Sequence, residues 1–206
     1  MRYLVIGDSH VWDLQRYLLK LDSTATSMII SRGRKAREIM DMYRDDLFNA
    51  YLFDPQYVVI HLGHNDMAEH QSLNVNPRHP LAIYEQIIGF AREVALNFPS
   101  ARLLLSSTLP RHYTVSANLS LPKVLIYNKS CKRLGQALRH DAANFGIQVG
   151  LNMPFWKKIS KALENSDMYL SDGLHLNPDG KLELIISWLL DLQIIVEYKL
   201  VWPPAI

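Results

Sequence analysis

Short apolar runs alternate along this chain with longer stretches in which apolar residues recur every three or four positions. The runs are Tyr3–Ile6, Ser27–Ile30, Tyr57–Ile60 and Arg102–Leu105, with a weaker fifth, Ile147-Gln148-Val149, after Gly146. Period alone cannot separate such runs from buried helix. Their shortness, with Gly7, Asp54-Pro55 and Pro99-Ser100 at their borders, points to strands. The longer stretches predict helices over 11–21, 34–50, 80–98, 122–144 and 178–196. The last opens on Pro178, a favoured first helical position. Strand–helix alternation of this kind predicts an α/β fold, a parallel sheet with helices on both faces. Five strands in the order 2-1-3-4-5, joined by right-handed crossovers, are expected. Two long connections, 62–79 and 107–121, and an irregular stretch, 150–175, are left over, and loops that long in a compact domain are often functional. No linker or repeat divides the chain, so one domain over 1–206 is expected.

Composition narrows the class. Of the 206 residues 49% are hydrophobic and 20% charged, which excludes disorder and marks a globular chain. A net charge of +2 is too small to predict nucleic-acid binding by itself. A lone cysteine, Cys131, excludes an internal disulfide framework and a Cys-rich zinc site. Met1–Ile6 runs straight into Gly7-Asp8-Ser9, which is a strand and a turn rather than a signal peptide. The longest apolar tract, Leu184–Trp202, is interrupted by Asp191, Gln193, Glu197 and Lys199, unlike a spanning helix. A cytoplasmic location is therefore expected, with excision from a longer protein as the alternative. That tract is also too apolar for one helix face. A helix ending near Leu192, then an extended Ile194–Val201 packed on the core, is the expectation; the alternative leaves part of it exposed to lipid, an acyl chain or another subunit.

In an open parallel sheet, ligands bind beyond the carboxyl ends of the strands. Gly7-Asp8-Ser9-His10 follows the first strand, Ser31-Arg32-Gly33 the second and Gly63-His64-Asn65-Asp66 the third, while Asp172-Gly173-Leu174-His175 precedes the last helix. A serine hydroxyl becomes a nucleophile only when a base takes its proton. Ser9 is placed for that role, although a helix cap would use the same residue type. His175 is a candidate base and Asp172 a candidate partner for its imidazole, as a triad requires. The plainer reading of that segment is a surface turn. An oxyanion hole needs donors fixed where negative charge develops. The Asn65 side chain and the Gly33 N–H can supply them, and Gly33 lets a substrate approach closely. Each signal is modest alone; together, each at a strand's end, they form a constellation.

On these residues the chain resembles the SGNH (GDSL-type) hydrolase family. Gly7-Asp8-Ser9 matches its first block, with His10 where leucine is usual. Gly33 alone matches the second, Gly63-His64-Asn65-Asp66 the third and Asp172-Gly173-Leu174-His175 the fifth. The resemblance implies a flavodoxin-like three-layer α/β/α sandwich and ester hydrolysis with no cofactor and no metal. It implies Ser9 as nucleophile, His175 as base, Asp172 as its partner, and an oxyanion hole of the Ser9 N–H, the Gly33 N–H and the Asn65 side chain. The chain is also similar to the esterase domain carried by some animal LINE-type retrotransposons. That likeness implies a fragment of a larger multimeric, nucleic-acid-associated protein; a stand-alone animal protein and a microbial esterase are the alternatives. The substrate implied is a small-molecule or lipid ester. A non-hydrolytic lipid- or protein-binding module that kept the pocket is the rival reading.

Other features carry less. Arg32, Arg34, Lys35 and Arg37 form a basic run that would attract a membrane surface or nucleic acid. A solvated helix face is the commoner explanation, and none of the four tryptophans is interleaved with basic residues as a base-stacking platform would be. No direct nucleic-acid binding is expected from this domain. His61, His64 and His70, with Asp66 and Glu69, match no recognised metal-ligand pattern, and His61 is expected to be a hydrogen-bonded core histidine. Gly7-Asp8-Ser9 lacks the G-x-G-x-x-G or Walker lysine of a nucleotide-binding turn.

Overall fold

A computed structural model of the chain describes residues 1–31, 35–69, 80–114, 120–149, 156–157 and 161–192. Its centre is a parallel sheet of β1 (Arg2–Gly7), β2 (Thr26–Ile30), β3 (Tyr57–His61), β4 (Arg102–Ser106) and β5 (Trp156–Lys157), in the order β2-β1-β3-β4-β5. The first four strands have five or six residues; the fifth is a two-residue edge strand paired through Leu105↔Trp156 and Ser106↔Lys157.

Side chains of a strand alternate between faces, and here both faces are covered. Leu4, Ile6, Val58, Ile60, Leu103 and Leu105 pack against α2 (Ala36–Asp45), α5 (Pro80–Asn97) and α6 (Leu121–Val149). Tyr3, Val5, Val59 and Leu104 point the other way, onto α1 (Gln15–Leu21) and α7 (Pro178–Asp191). The result is the three-layer α/β/α arrangement, with apolar strands because neither face meets water. Fully burying one such side chain stabilises by about 1.5–3 kcal/mol, and among the described residues Trp188 of α7 is the largest buried in this way.

Three expectations are corrected. Ile147-Gln148-Val149 is not a strand; it ends α6, and the fifth strand lies at Trp156–Lys157. Three residues after a glycine are too few for a strand pattern to outweigh the helical period that reaches them from Leu134 and Leu138. The stretch 34–50 is two helices, α2 and α3 (Leu47–Phe53), joined at Asp46, whose φ of −91° and ψ of 3° break the helical run. The 62–79 connection contains α4 (His64–Glu69), which has too few apolar residues to show a period. Helix α7 begins at Pro178, and Asn177 caps it by accepting from the Gly180 N–H at 2.9 Å. It ends at Asp191, so the proposed extension of Ile194–Val201 lies outside the described residues. Among the described residues no helix is long and apolar enough to cross a membrane.

Candidate active site

Strand β1 delivers Gly7-Asp8-Ser9 to the carboxyl edge of the sheet. Gly7 is there because a Cβ would meet the His61 carbonyl oxygen and the Val11 side chain, both under 3 Å away. Helix α1 starts only at Gln15, not at residue 11, so Ser9 is no helix cap. It sits in the turn closed by Val11 N–H to Asp8 O at 3.1 Å, which a second turn, closed by Leu14 N–H to Val11 O at 3.2 Å, follows. Ser9 is exposed, and its Oγ lies 3.4 Å from His175 Nε2.

His175 belongs to a tight loop pinched by an antiparallel bridge between Tyr169 and Leu176. Gly173 turns the loop at φ +64°, and a Cβ there would collide with the His112 carbonyl oxygen. Asp172 reaches back over this turn. Its Oδ2 is 2.7 Å from His175 Nδ1, and its Oδ1 accepts from the Leu174 and His175 N–H groups at 2.8 and 3.0 Å. Burial pushes the Asp172 carboxyl up, but hydrogen bonds from the His175 side chain and both backbone groups outweigh it and hold it below its ordinary value. An ionised carboxylate only accepts, so His175 carries its proton on Nδ1 and turns the Nε2 lone pair toward Ser9.

Asn65 comes from α4, just after Gly63 at φ +104°. Strands β1 and β3 are adjacent, with Gly7 opposite His61, so Ser9 and Asn65 leave the same edge of the sheet. The Asn65 amide is half-buried and forms no hydrogen bond among the described residues. Its neighbour Asp66 accepts from the Ala36 N–H at 3.0 Å, tying α4 to the start of α2. Gly33 lies outside the described residues, as do Arg32, Arg34 and His70.

Sequence reasoning missed what lies beneath. Asp8 and His64 are both buried, with Asp8 Oδ2 2.9 Å from His64 Nδ1. His64 Nε2 accepts from the Leu109 N–H at 2.8 Å. A backbone N–H can only donate, so the His64 proton is on Nδ1 and donates to Asp8. Burial, then electrostatic repulsion from the side of Arg111 and His175, lowers the His64 pKa to about 3, and the ring stays neutral. The signal for this pair was Asp8 itself: a carboxylate that directly continues an apolar strand is buried and needs a partner.

His61 ends β3, buried, with Nδ1 2.9 Å from Ser106 Oγ, which also accepts from Trp188 Nε1 at 2.8 Å. Asp8, His10 and His64 form a group whose candidate metal-ligand atoms lie within 4.8 Å of one another. Both ring nitrogens of His64 already hold hydrogen bonds, so a cation would have to displace Asp8 or Leu109.

A buried parallel sheet with a serine, a histidine and a carboxylate gathered at its carboxyl edge defines the class, and comparison with known proteins agrees. Residues 15–181 match the model of the GDSL-like Lipase/Acylhydrolase family, and the chain belongs to that family. The match includes Asn65, Asp172 and His175 and begins just past Ser9. A GDSL-like lipase from Bacteroides thetaiotaomicron is similar in structure, with a TM-score of 0.60 and 20% identity over 94% of this chain and 87% of that one. So is a catalytic mutant of an acetylxylan esterase from Geobacillus stearothermophilus, with a TM-score of 0.62 and 12% identity over 93% of each chain. No curated protein matches the chain by sequence.

Proposed function

We propose that the protein is a serine esterase that hydrolyses carboxylic esters through an acyl-enzyme. The observation that carries this reading is the unbroken path from Ser9 Oγ through His175 to Asp172, at 3.4 and 2.7 Å. As Ser9 Oγ attacks the ester carbonyl, its proton passes to His175 Nε2. Asp172 stabilises the imidazolium that forms. The carbonyl oxygen becomes an oxyanion, met by the Ser9 N–H, the Asn65 amide and the Gly33 N–H. The bond to the alcohol then breaks, and His175 gives that proton to the leaving oxygen. A water molecule repeats the sequence on the acyl-serine, releases the acid and restores Ser9. The Asn65 amide, which forms no hydrogen bond among the described residues, fits this role, since a donor already engaged elsewhere would have to be released at the moment of reaction. The 3.4 Å separation fits a site without substrate, where such contacts are often long.

The test is hydrolysis of 4-nitrophenyl esters, from acetate to longer acyl chains, by the wild type and by Ser9→Ala. Turnover by the wild type, reduced at least ~10³-fold in a folded Ser9→Ala protein, is expected from loss of the nucleophile. No turnover by a folded wild type, or equal turnover by both, would overturn the reading.

A further inference from the structure

The segment Leu109–His112 joins the two halves of the site. At one end the Leu109 N–H is held by His64, the residue before Asn65, and its carbonyl accepts from the Tyr127 hydroxyl at 3.3 Å. At the other end the His112 N–H donates to the Gly173 carbonyl at 2.9 Å, inside the loop that carries Asp172 and His175. Between them, the Asn128 side chain clamps both backbone groups of Arg111, accepting from its N–H at 2.8 Å and donating to its carbonyl at 2.9 Å. The Arg111 guanidinium lies over the ring of buried Tyr127, 4.2 Å from its centre.

Arg111 is thus a half-buried cation on rigid backbone, set between the oxyanion side and the base side. Its guanidinium has no carboxylate partner and no hydrogen bond among the described residues. A guanidinium is planar and presents donors in a fork that matches a carboxylate or phosphate with two parallel bonds. Its place over the Tyr127 ring adds a cation–π contact that holds the guanidinium in position. The basic run around the start of α2, with Lys35 and Arg37 next to the Asp66–Ala36 link, adds a field of the same sign beside the site.

We propose that Arg111 is a specificity-determining residue that binds an anionic group, a carboxylate or phosphate, carried by the ester substrate. This rests on the hydrolase reading and narrows it to acidic esters. The same anionic group has two places on an ester, the acyl side and the alcohol side, and two pairs of probes separate them. Mono-4-nitrophenyl adipate against 4-nitrophenyl hexanoate reports the acyl side. 4-Carboxyphenyl acetate against 4-(methoxycarbonyl)phenyl acetate reports the alcohol side.

In one pair the wild type is expected to show about tenfold higher kcat/KM for the anionic member, chiefly through KM. Arg111→Met should lower that anionic-to-neutral ratio by roughly 10–100-fold, the range of a lost charge-assisted hydrogen bond. Arg111→Lys, which keeps a point charge without the fork, should recover part of it. It also serves as the second variant if Arg111→Met does not fold. A wild type that prefers the neutral ester in both pairs overturns the proposal and leaves the esterase reading standing, as does a ratio unchanged in both variants. If no ester is hydrolysed by folded wild type, the esterase reading fails and this one falls with it.

Discussion

Two histidine–carboxylate pairs of nearly the same length lie side by side in this protein. His175–Asp172 spans 2.7 Å with side chains 44% and 37% exposed; His64–Asp8 spans 2.9 Å with 1% and 2%. In both, the carboxylate holds the proton on Nδ1. What differs is the group on Nε2. His175 faces a hydroxyl, which has a proton to give. His64 faces the Leu109 N–H, which can only donate, so its lone pair is spent on backbone. One geometry thus yields a candidate base at the surface and a staple in the core, and the second partner decides between them.

Breaking each pair in turn gives the largest contrast. His175→Ala is expected to lower kcat/KM by roughly 10³-fold or more, with little change in the urea midpoint, because a half-exposed ring contributes little packing. His64→Ala is expected to cost about 3–5 kcal/mol in urea unfolding, since it strands a buried carboxylate and a buried N–H. Equal losses of stability in the two variants would erase the distinction.

Replacing only the charge sharpens it. Asp172→Asn should lower kcat by ~10²–10⁴-fold, because an amide no longer fixes the proton on Nδ1. Asp8→Asn should cost about 1–2 kcal/mol, since its carbonyl still accepts from His64 while its buried amide group faces the His10 N–H, which Asp8 Oδ1 accepts from at 3.1 Å. Steady-state kinetics and urea titration on both variants separate these outcomes.

The buried pair also predicts how acid acts. Folded His64 stays neutral until about pH 3, whereas in the unfolded chain it protonates near its ordinary value. Below about pH 6.5, then, the unfolded state binds the extra proton, and stability is lost as pH falls. Burial holds His10 and His61 down in the same direction. Unfolding free energy is expected to decline by up to ~1.4 kcal/mol per pH unit for each of these rings. Urea midpoints between pH 7.5 and 5.5 measure the slope, and His64→Gln should flatten it by about one ring's share.

The smallest effect expected is that of Lys181→Met. Lys181 Nζ lies 2.7 Å from Asp13 Oδ2, joining the turns after Ser9 to the start of α7. The pair is partly shielded from water, and its loss should cost about 1 kcal/mol at most and change kcat less than twofold.

The sheet was legible because β1, β3 and β4 are largely buried on both faces and so mostly apolar, and the edge strand β2 still carries Met28–Ile30; Tyr57–Ile60 needed only His61 added. The fifth was not, because a two-residue edge strand leaves no pattern to read. Ser9 and Asn65 were legible as polar residues in short motifs after β1 and β3, and Asp172 and His175 in a short motif before the last helix. The Asp8–His64–Leu109 relay was not, because a backbone N–H from 45 residues away has no sequence signature and it alone sets the role of His64. Arg111 escaped for a related reason, since an arginine in a long connection is ordinary until the fold sets it over Tyr127 with no carboxylate partner among the described residues.

Ser9 and His175 stand 166 positions apart, and this spacing also sets an order of events in time. During synthesis the candidate nucleophile emerges early and the candidate base late. At about 5–20 residues per second, roughly ten to thirty seconds pass between them. A nascent chain that has folded β1 through β4 presents Ser9 with no base opposite it. It gains one only when the Leu170–His175 loop closes and α7 docks across the sheet. On the proposed reading, hydrolysis waits for the last-made segment of the described structure, and a ribosome-stalled or truncated product lacking that segment is expected to be inert toward esters while still holding most of the core.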